Sequence, residues 1–283
     1  MVLGCLRRSL RRNPGAAGRK VIPYGREAEQ YGELWLPHGT GPHPVAVVIH
    51  GGFWRRRYGC GLMRPLSAAL AAQGVAAWNV EYRRVGSPGG GWPGTLLDVA
   101  AAVDHLRHVA AGTPDTEGQT LDLARVGVIG HSAGGHLAVW AAGRRSLRHG
   151  DPGAGPEVQP VAAVSLAGVL DLADAAGRGL GGGAVPALLG GSPTGLPDRY
   201  RVASPAERLP VGVSQLLVHG DRDGIVPAEC SRRFQERARA AGDDVTLSTQ
   251  PRVGHFEVID PRHPAGRAGL DWLAGRLVQV RPG

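Results

Sequence analysis

The stretch VGVIGHSAGGHLAV, Val126 to Val139, sets a serine among glycines where a run of β-branched apolar residues gives way to a helix-like pattern. The run predicts a buried strand ending near Gly130, and a helix is expected to start near Ser132. Between them GHSAG (Gly130–Gly134) has the spacing GxSxG. Glycines at these positions let the backbone turn sharply from strand to helix without side-chain clashes, which lifts Ser132 Oγ above the sheet edge. The N-terminus of the following helix favours negative charge developing there. The pentapeptide alone is a weak signal, and a serine that only caps the helix is the competing reading. Its strand-to-helix context gives it weight.

Working outward, the same alternation recurs. PVAVVIHGG (Pro44–Gly52) reads as a buried strand closed by two glycines, and Tyr24–Pro37 as edge strands. Further strands are expected at Val75–Arg83, Ala124–Gly130, Val161–Gly168, Gln215–Gly220 and Val245–Gln250. Helices are expected at Met63–Gly74, Leu96–Ala111 and residues 228–241, and GRAGLDWLAGRLVQV makes a closing amphipathic helix. Continuous apolar strands alternating with helices predict an α/β fold, a mostly parallel sheet covered on both faces. In such sheets ligands sit beyond the carboxyl ends of the strands. Residues 21–283 read as one domain. Within it 169–210, rich in Gly and Pro, is an irregular insertion able to form a small cap.

Composition excludes several functions. The formal charge is +8, but residues 1–20 hold six basic residues and no acid, so the remainder is nearly neutral. The basic character belongs to a tail expected to be disordered, and no basic patch with interleaved aromatics points to nucleic acid. Arginines interrupt the tail before any apolar segment of signal-peptide length forms, and no stretch reaches the roughly 18 apolar residues of a membrane span. Three cysteines (Cys5, Cys60, Cys230) lack metal-ligand spacing, so neither a disulfide framework nor a metal site is expected and a reducing cytosol fits.

A serine nucleophile needs a base, an orienting acid and donors for the oxyanion. Glycines in HGGFW (His50–Trp54) free backbone N–H groups to point into a site. Of the eleven histidines, His255 in PRVGHFEV follows the last strand on a loop, which suits a base; His50 and His131 flank the glycine motifs and are expected to pack or hydrogen-bond there. HGDRDGIVP carries Asp221 and Asp223 after the strand Gln215–Gly220. Asp223 leads into IVP, where Pro227 opens the next helix, so it reads as the orienter and Asp221 as a turn former. Ser132, Asp223 and His255 then occur in the chain order Ser–Asp–His.

HGGFW, EYR (Glu81–Arg83), GHSAGGHLA, HGDRDGIVP and GHFE together resemble the α/β hydrolases of esterase/lipase type over roughly residues 21–280. The resemblance is nearest to the group of kynurenine formamidases (arylformamidases), carboxylesterases and feruloyl-esterase-like proteins. It implies an α/β-hydrolase fold and a Ser132–His255–Asp223 triad. Gly52 and Phe53 carry over from the formamidase motif HGGxW as oxyanion donors, with Ala133 as the amide after the nucleophile. Position 53 departs from the HGGG of hormone-sensitive-lipase-like esterases. Trp54 and Trp92 are candidates for the substrate pocket or for anchoring core and loop. The implied activity is hydrolysis of a small-molecule ester or aryl formamide without metal or organic cofactor. A peptidase, an acyltransferase and a non-catalytic receptor remain as alternatives on the same fold, and substrate and oligomeric state stay open.

Overall fold

The computed structural model describes residues 18–279 apart from 113–115 and 117. Its strands are β1 (Arg19–Pro23), β2 (Tyr31–Trp35), β3 (His43–Ile49), β4 (Ala76–Val80), β5 (Leu121–His131), β6 (Ala162–Leu166), β7 (Ser214–Gly220) and β8 (Val245–Gln250). They form one sheet in the order β1-β2-β4-β3-β5-β6-β7-β8. β1 and β2 pair antiparallel, as do β2 and β4. Every other pairing is parallel. This is the doubly covered α/β sheet that the apolar runs predict.

The helices are α1 (Arg64–Ala72), α2 (Gly94–Asp104), α3 (Leu106–Val109), α4 (Ala133–Ala142), α5 (Leu172–Gly177), α6 (Ala184–Leu189), α7 (Pro197–Ala203), α8 (Ala228–Ala240) and α9 (Pro264–Gln279). Strand alternation assigns them to two cores. On β3, Val45, Val47 and Ile49 enter one core, Ala46 and Val48 the other. The first core takes Val99 and Val103 of α2, Leu137 and Trp140 of α4 and Phe234 of α8. The second takes Leu66 and Leu70 of α1 with Leu270, Leu273 and Leu277 of α9. Because the central strands are buried on both sides, their apolar runs are continuous rather than alternating with polar residues.

Three expectations need correction. The tail assigned to 1–20 lies outside the described residues up to 17, but Arg19 and Lys20 belong to β1, paired with Trp35 and Leu34. An edge strand with only Ile22 buried carries little apolar pattern, which hid it. The helix expected at 96–111 begins at Gly94 and divides at His105 into α2 and α3. The 169–210 insertion is more ordered than expected, forming three short helices, α5 to α7, and most of its large apolar residues pack inward. Leu170, Leu172, Val185, Leu188 and Leu189 are buried in the first core.

Trp140 links the helix that follows Ser132 to this insertion. It is wholly buried, and its Nε1–H donates to Val202 O of α7 at 3.0 Å. Trp140→Ala is expected to lower unfolding free energy by about 3–5 kcal/mol, through lost burial and the cavity left behind. Urea denaturation of the two proteins checks this; a loss below about 1 kcal/mol would mean that α4 and α7 are held together by other contacts.

Candidate active site

Ser132 follows the end of β5 and precedes α4 with φ 54° and ψ −118°. A non-glycine residue in this region is strained, at a cost on the order of 1–3 kcal/mol, and persists only where its surroundings impose it. Those surroundings are backbone. A Cβ on Gly130 would lie 2.0 Å from Gly134 O, and one on Gly134 would lie 2.1 Å from Ile49 O. The glycines are therefore required by how closely the turn, α4 and β3 approach. Ser132 N donates to Leu166 O at 2.8 Å, which ties the turn to β6. The hydroxyl makes no capping bond to α4, so the cap reading of the sequence does not describe it.

The loops after β7 and β8 bring Asp223 and His255 together. His255 Nδ1–H donates to Asp223 Oδ2 at 2.6 Å, which leaves Nε2 as the basic nitrogen. Asp223 Oδ1 accepts from the amides of Ile225 and Val226 at 2.8 and 2.9 Å. His219 Nε2–H, shared with Val226 O, reaches Asp223 Oδ2 at 3.2 Å. Burial alone would raise the carboxyl, but hydrogen bonds from His219 and His255, the His255 ring and the Val226 amide outweigh it. They hold Asp223 well below the ordinary carboxylate range. Asp221 faces elsewhere, accepting from Arg252 N at 2.6 Å.

His131, beside the serine, secures the histidine loop. Its Nε2–H donates to His255 O at 2.8 Å, and the two rings lie 4.6 Å apart. Burial, then the neighbouring His255, push its pKa down to about 3, so it stays neutral. Ser132 and His255 line the same cavity, although Ser132 Oγ forms no hydrogen bond to the imidazole. Such contacts commonly tighten only when substrate is bound.

HGGFW makes a turn with positive φ at three successive residues: Gly52 at 119°, Phe53 at 51° and Trp54 at 55°. It abuts the serine, since a Cβ on Gly51 would meet Ser132 Cβ at 3.0 Å. The amides of Gly52 and Phe53 donate to no acceptor among the described residues. Ala133 N opens α4 and so has no partner within the helix. The EYR residues support this turn from beneath. Glu81 Oε1 lies 3.0 Å from His50 Nε2, and Tyr82 donates its hydroxyl to His50 O at 2.8 Å.

The structure does not bring the two tryptophans to the serine. Trp54 is fully buried and donates Nε1–H to His136 Nδ1 at 3.2 Å, pinning the HGGFW turn to α4. Trp92 donates its backbone N–H to Leu188 O at 2.8 Å and lines a separate cavity with Leu188 and Arg199. The serine cavity, about 300 Å³, is instead walled by Tyr58, Leu62, Ile225 and Phe256 beside Phe53. None of those four was singled out from the sequence. Each lies within ten residues of a motif glycine or triad candidate, which was the one signal for them. Among the described residues no group of three or more His, Cys, Asp or Glu is arranged to hold a metal ion, and no helix is long and apolar enough to cross a membrane.

Sheet order, serine turn and loop placement are those of the α/β hydrolases. The BD-FAE family model matches residues 33–238, and the chain belongs to that family. Among curated proteins it is similar to Esterase LipC of Mycobacterium tuberculosis, 29% identical over 86% of this chain and 60% of the relative. It is also similar to Esterase LipQ of the same organism, 28% identical over 85% of this chain and 57% of the relative. The chain thus spans somewhat over half the length of these relatives. Among solved structures, a truncated carbohydrate esterase from gut microbiota superposes with TM-score 0.80 at 21% identity, covering 94% of this chain and 99% of the other. Esterase B of Lactobacillus rhamnosis gives TM-score 0.74 at 23% identity, over 93% and 87% of the two chains.

The depressed Asp223 carboxyl has a consequence for stability. A carboxyl bound more acidic in the folded state contributes stability above its ordinary value of 3.8, and that contribution is lost as pH falls toward the folded value. Asp223→Asn is therefore expected to melt below the parent protein at pH 7, with the gap closing as pH falls from 4 to 2.5. Thermal melts across that range check it, and a gap independent of pH would show that the carboxylate is not charged in the fold.

Proposed function

We propose that the protein is a serine hydrolase that cleaves carboxylic esters with short acyl groups through an acyl-enzyme. Ser132 Oγ attacks the ester carbonyl as His255 Nε2 takes its proton, and Asp223 holds the imidazole in the required tautomer and stabilises its charged form. The amides of Gly52, Phe53 and Ala133 receive the oxyanion. The tetrahedral intermediate expels the alcohol, which His255 protonates. Water, activated by the same histidine, then attacks the acyl-serine, releases the acid and restores the hydroxyl.

The observation that carries this reading is a strained Ser132 whose hydroxyl is spent on no structural bond, in one cavity with a histidine already paired to a buried carboxylate. The esterase names of LipC and LipQ favour an ester over an aryl formamide. A receptor has no need of an ionised aspartate behind the histidine, which weighs against the non-catalytic reading.

The cavity of about 300 Å³ and the inward turn of the insertion's leucines limit the acyl group. Each methylene that found apolar cover would add about 0.8 kcal/mol, so a long tunnel would favour long esters steadily. A panel of p-nitrophenyl esters is expected to give kcat/KM highest at roughly two to six acyl carbons and falling well before twelve, with N-formylkynurenine turned over more slowly. Ser132→Ala should lose on the order of 10⁶ in turnover. A dodecanoyl optimum would refute the short-acyl reading, and a Ser132→Ala protein keeping several per cent of the parent rate would refute the nucleophile.

A further inference from the structure

The loop after HGGFW reads Arg55-Arg56-Arg57, and the fold treats the three arginines differently. Arg56 turns away from the site, with Nε 3.9 Å from Glu29 Oε1. Arg55 and Arg57 both line the serine cavity. Arg55 Nη2 donates to Gly182 O at 3.0 Å, which anchors it across the mouth to the Gly181–Gly183 run of the insertion. The guanidinium of Arg57 lies 5.6 Å from the centre of the Tyr58 ring.

Neither guanidinium has a carboxylate within ion-pair distance among the described residues, and no Asp or Glu lines the cavity. Asp223, the acid behind the cavity, is wholly buried and committed to His219 and His255. His131 is neutral. Both side chains are exposed, so the mouth carries two solvent-facing positive charges with no carboxylate paired to them, and the backbone at Gly182 and Gly183 has open space beside it. A planar guanidinium is well suited to a carboxylate, which it can meet with two parallel N–H donors. The other wall, formed by Leu62, Ile225 and Phe256, is apolar.

Building on the esterase reading, we propose that the cavity selects esters bearing a second, anionic group, a carboxylate, which Arg55 and Arg57 hold at the mouth while the ester carbonyl lies over Ser132. The two arginines are specificity residues on this view. They act through charge on a part of the substrate remote from the bond that breaks.

The test uses near-isosteric pairs, one member anionic and the other neutral. 4-Acetoxybenzoate and 4-acetoxybenzamide place the charge on the leaving group; monoethyl adipate and its terminal amide place it on the acyl side. The ratio of kcat/KM, anionic over neutral, is expected to reach about five to ten in one of the two pairs, the scale of exposed charge pairs focused by a cleft. It should fall as salt rises from 20 to 500 mM. Arg57→Gln and Arg55→Gln should each move that ratio toward one, and Arg57→Lys should keep most of it. The pair that shows the effect identifies the side on which the anion lies.

Binding to the full-length Ser132→Ala protein supplies a readout that needs no turnover, and the same preference should appear in Kd by calorimetry. Ratios near one in both pairs, or a ratio unmoved by Arg55→Gln and Arg57→Gln, would overturn the proposal. If no ester is hydrolysed, the esterase reading fails separately, and the Kd ratio still decides whether the mouth selects anions.

Discussion

Everything at this site depends on one backbone constraint, the approach of α4 to the carboxyl end of β3 at the turn that carries Ser132. Gly134 sits where any Cβ would collide with the carbonyl of Ile49, and Gly130 where one would collide with the carbonyl of Gly134. The turn can be that tight only with these glycines. Its tightness forces Ser132 to positive φ and aims the hydroxyl out of the sheet instead of back onto the helix. The same approach sets the HGGFW turn against the serine, so that a strained serine and two unengaged amides lie side by side. Strain at Ser132, Phe53 and Trp54 is offset by the buried core on both faces of the sheet, which fixes where β3, β5 and β6 end.

The supporting polar groups fall into two sets. Beneath the HGGFW turn, His50, Glu81 and Tyr82 bind one another and the backbone of the loop. Behind His255, Asp223 collects two amides and two imidazoles, while His131 holds the carbonyl of the same histidine. Both sets are buried, and a buried polar group left without a partner is costly. The loops after β3, β7 and β8 are thus tied down at the residues to which the proposed chemistry assigns roles.

Much of this was legible in the sequence because the features are local. Strands buried on both faces announce themselves as short apolar runs, and the serine turn is written in five consecutive residues. The separation of Asp223 from Asp221 was readable because IVP has to start a helix. What stayed hidden depends on tertiary direction. Trp54 closes HGGFW in sequence, yet positive φ swings its indole into the core onto His136. Trp92 is drawn to Leu188 of the insertion. Leu170, Leu172, Leu188 and Leu189 of the Gly- and Pro-rich 169–210 segment are core, which no periodicity there announces. The cavity wall is built from Tyr58, Leu62, Ile225 and Phe256, drawn from the segments that follow β3, β7 and β8. No periodicity marks such residues, and β1 escaped notice because an edge strand buries so little.

An activated nucleophile at Ser132 and a mere turn residue there differ in their reactivity toward a phosphonylating agent. Incubation with a fluorophosphonate, followed by intact-mass and peptide mass spectrometry, tests this difference most directly. One adduct per chain is expected, on the peptide holding Ser132, and none after Ser132→Ala. A protein that stays unlabelled under conditions that modify a control hydrolase, or that is labelled at another serine, would contradict an activated nucleophile at Ser132.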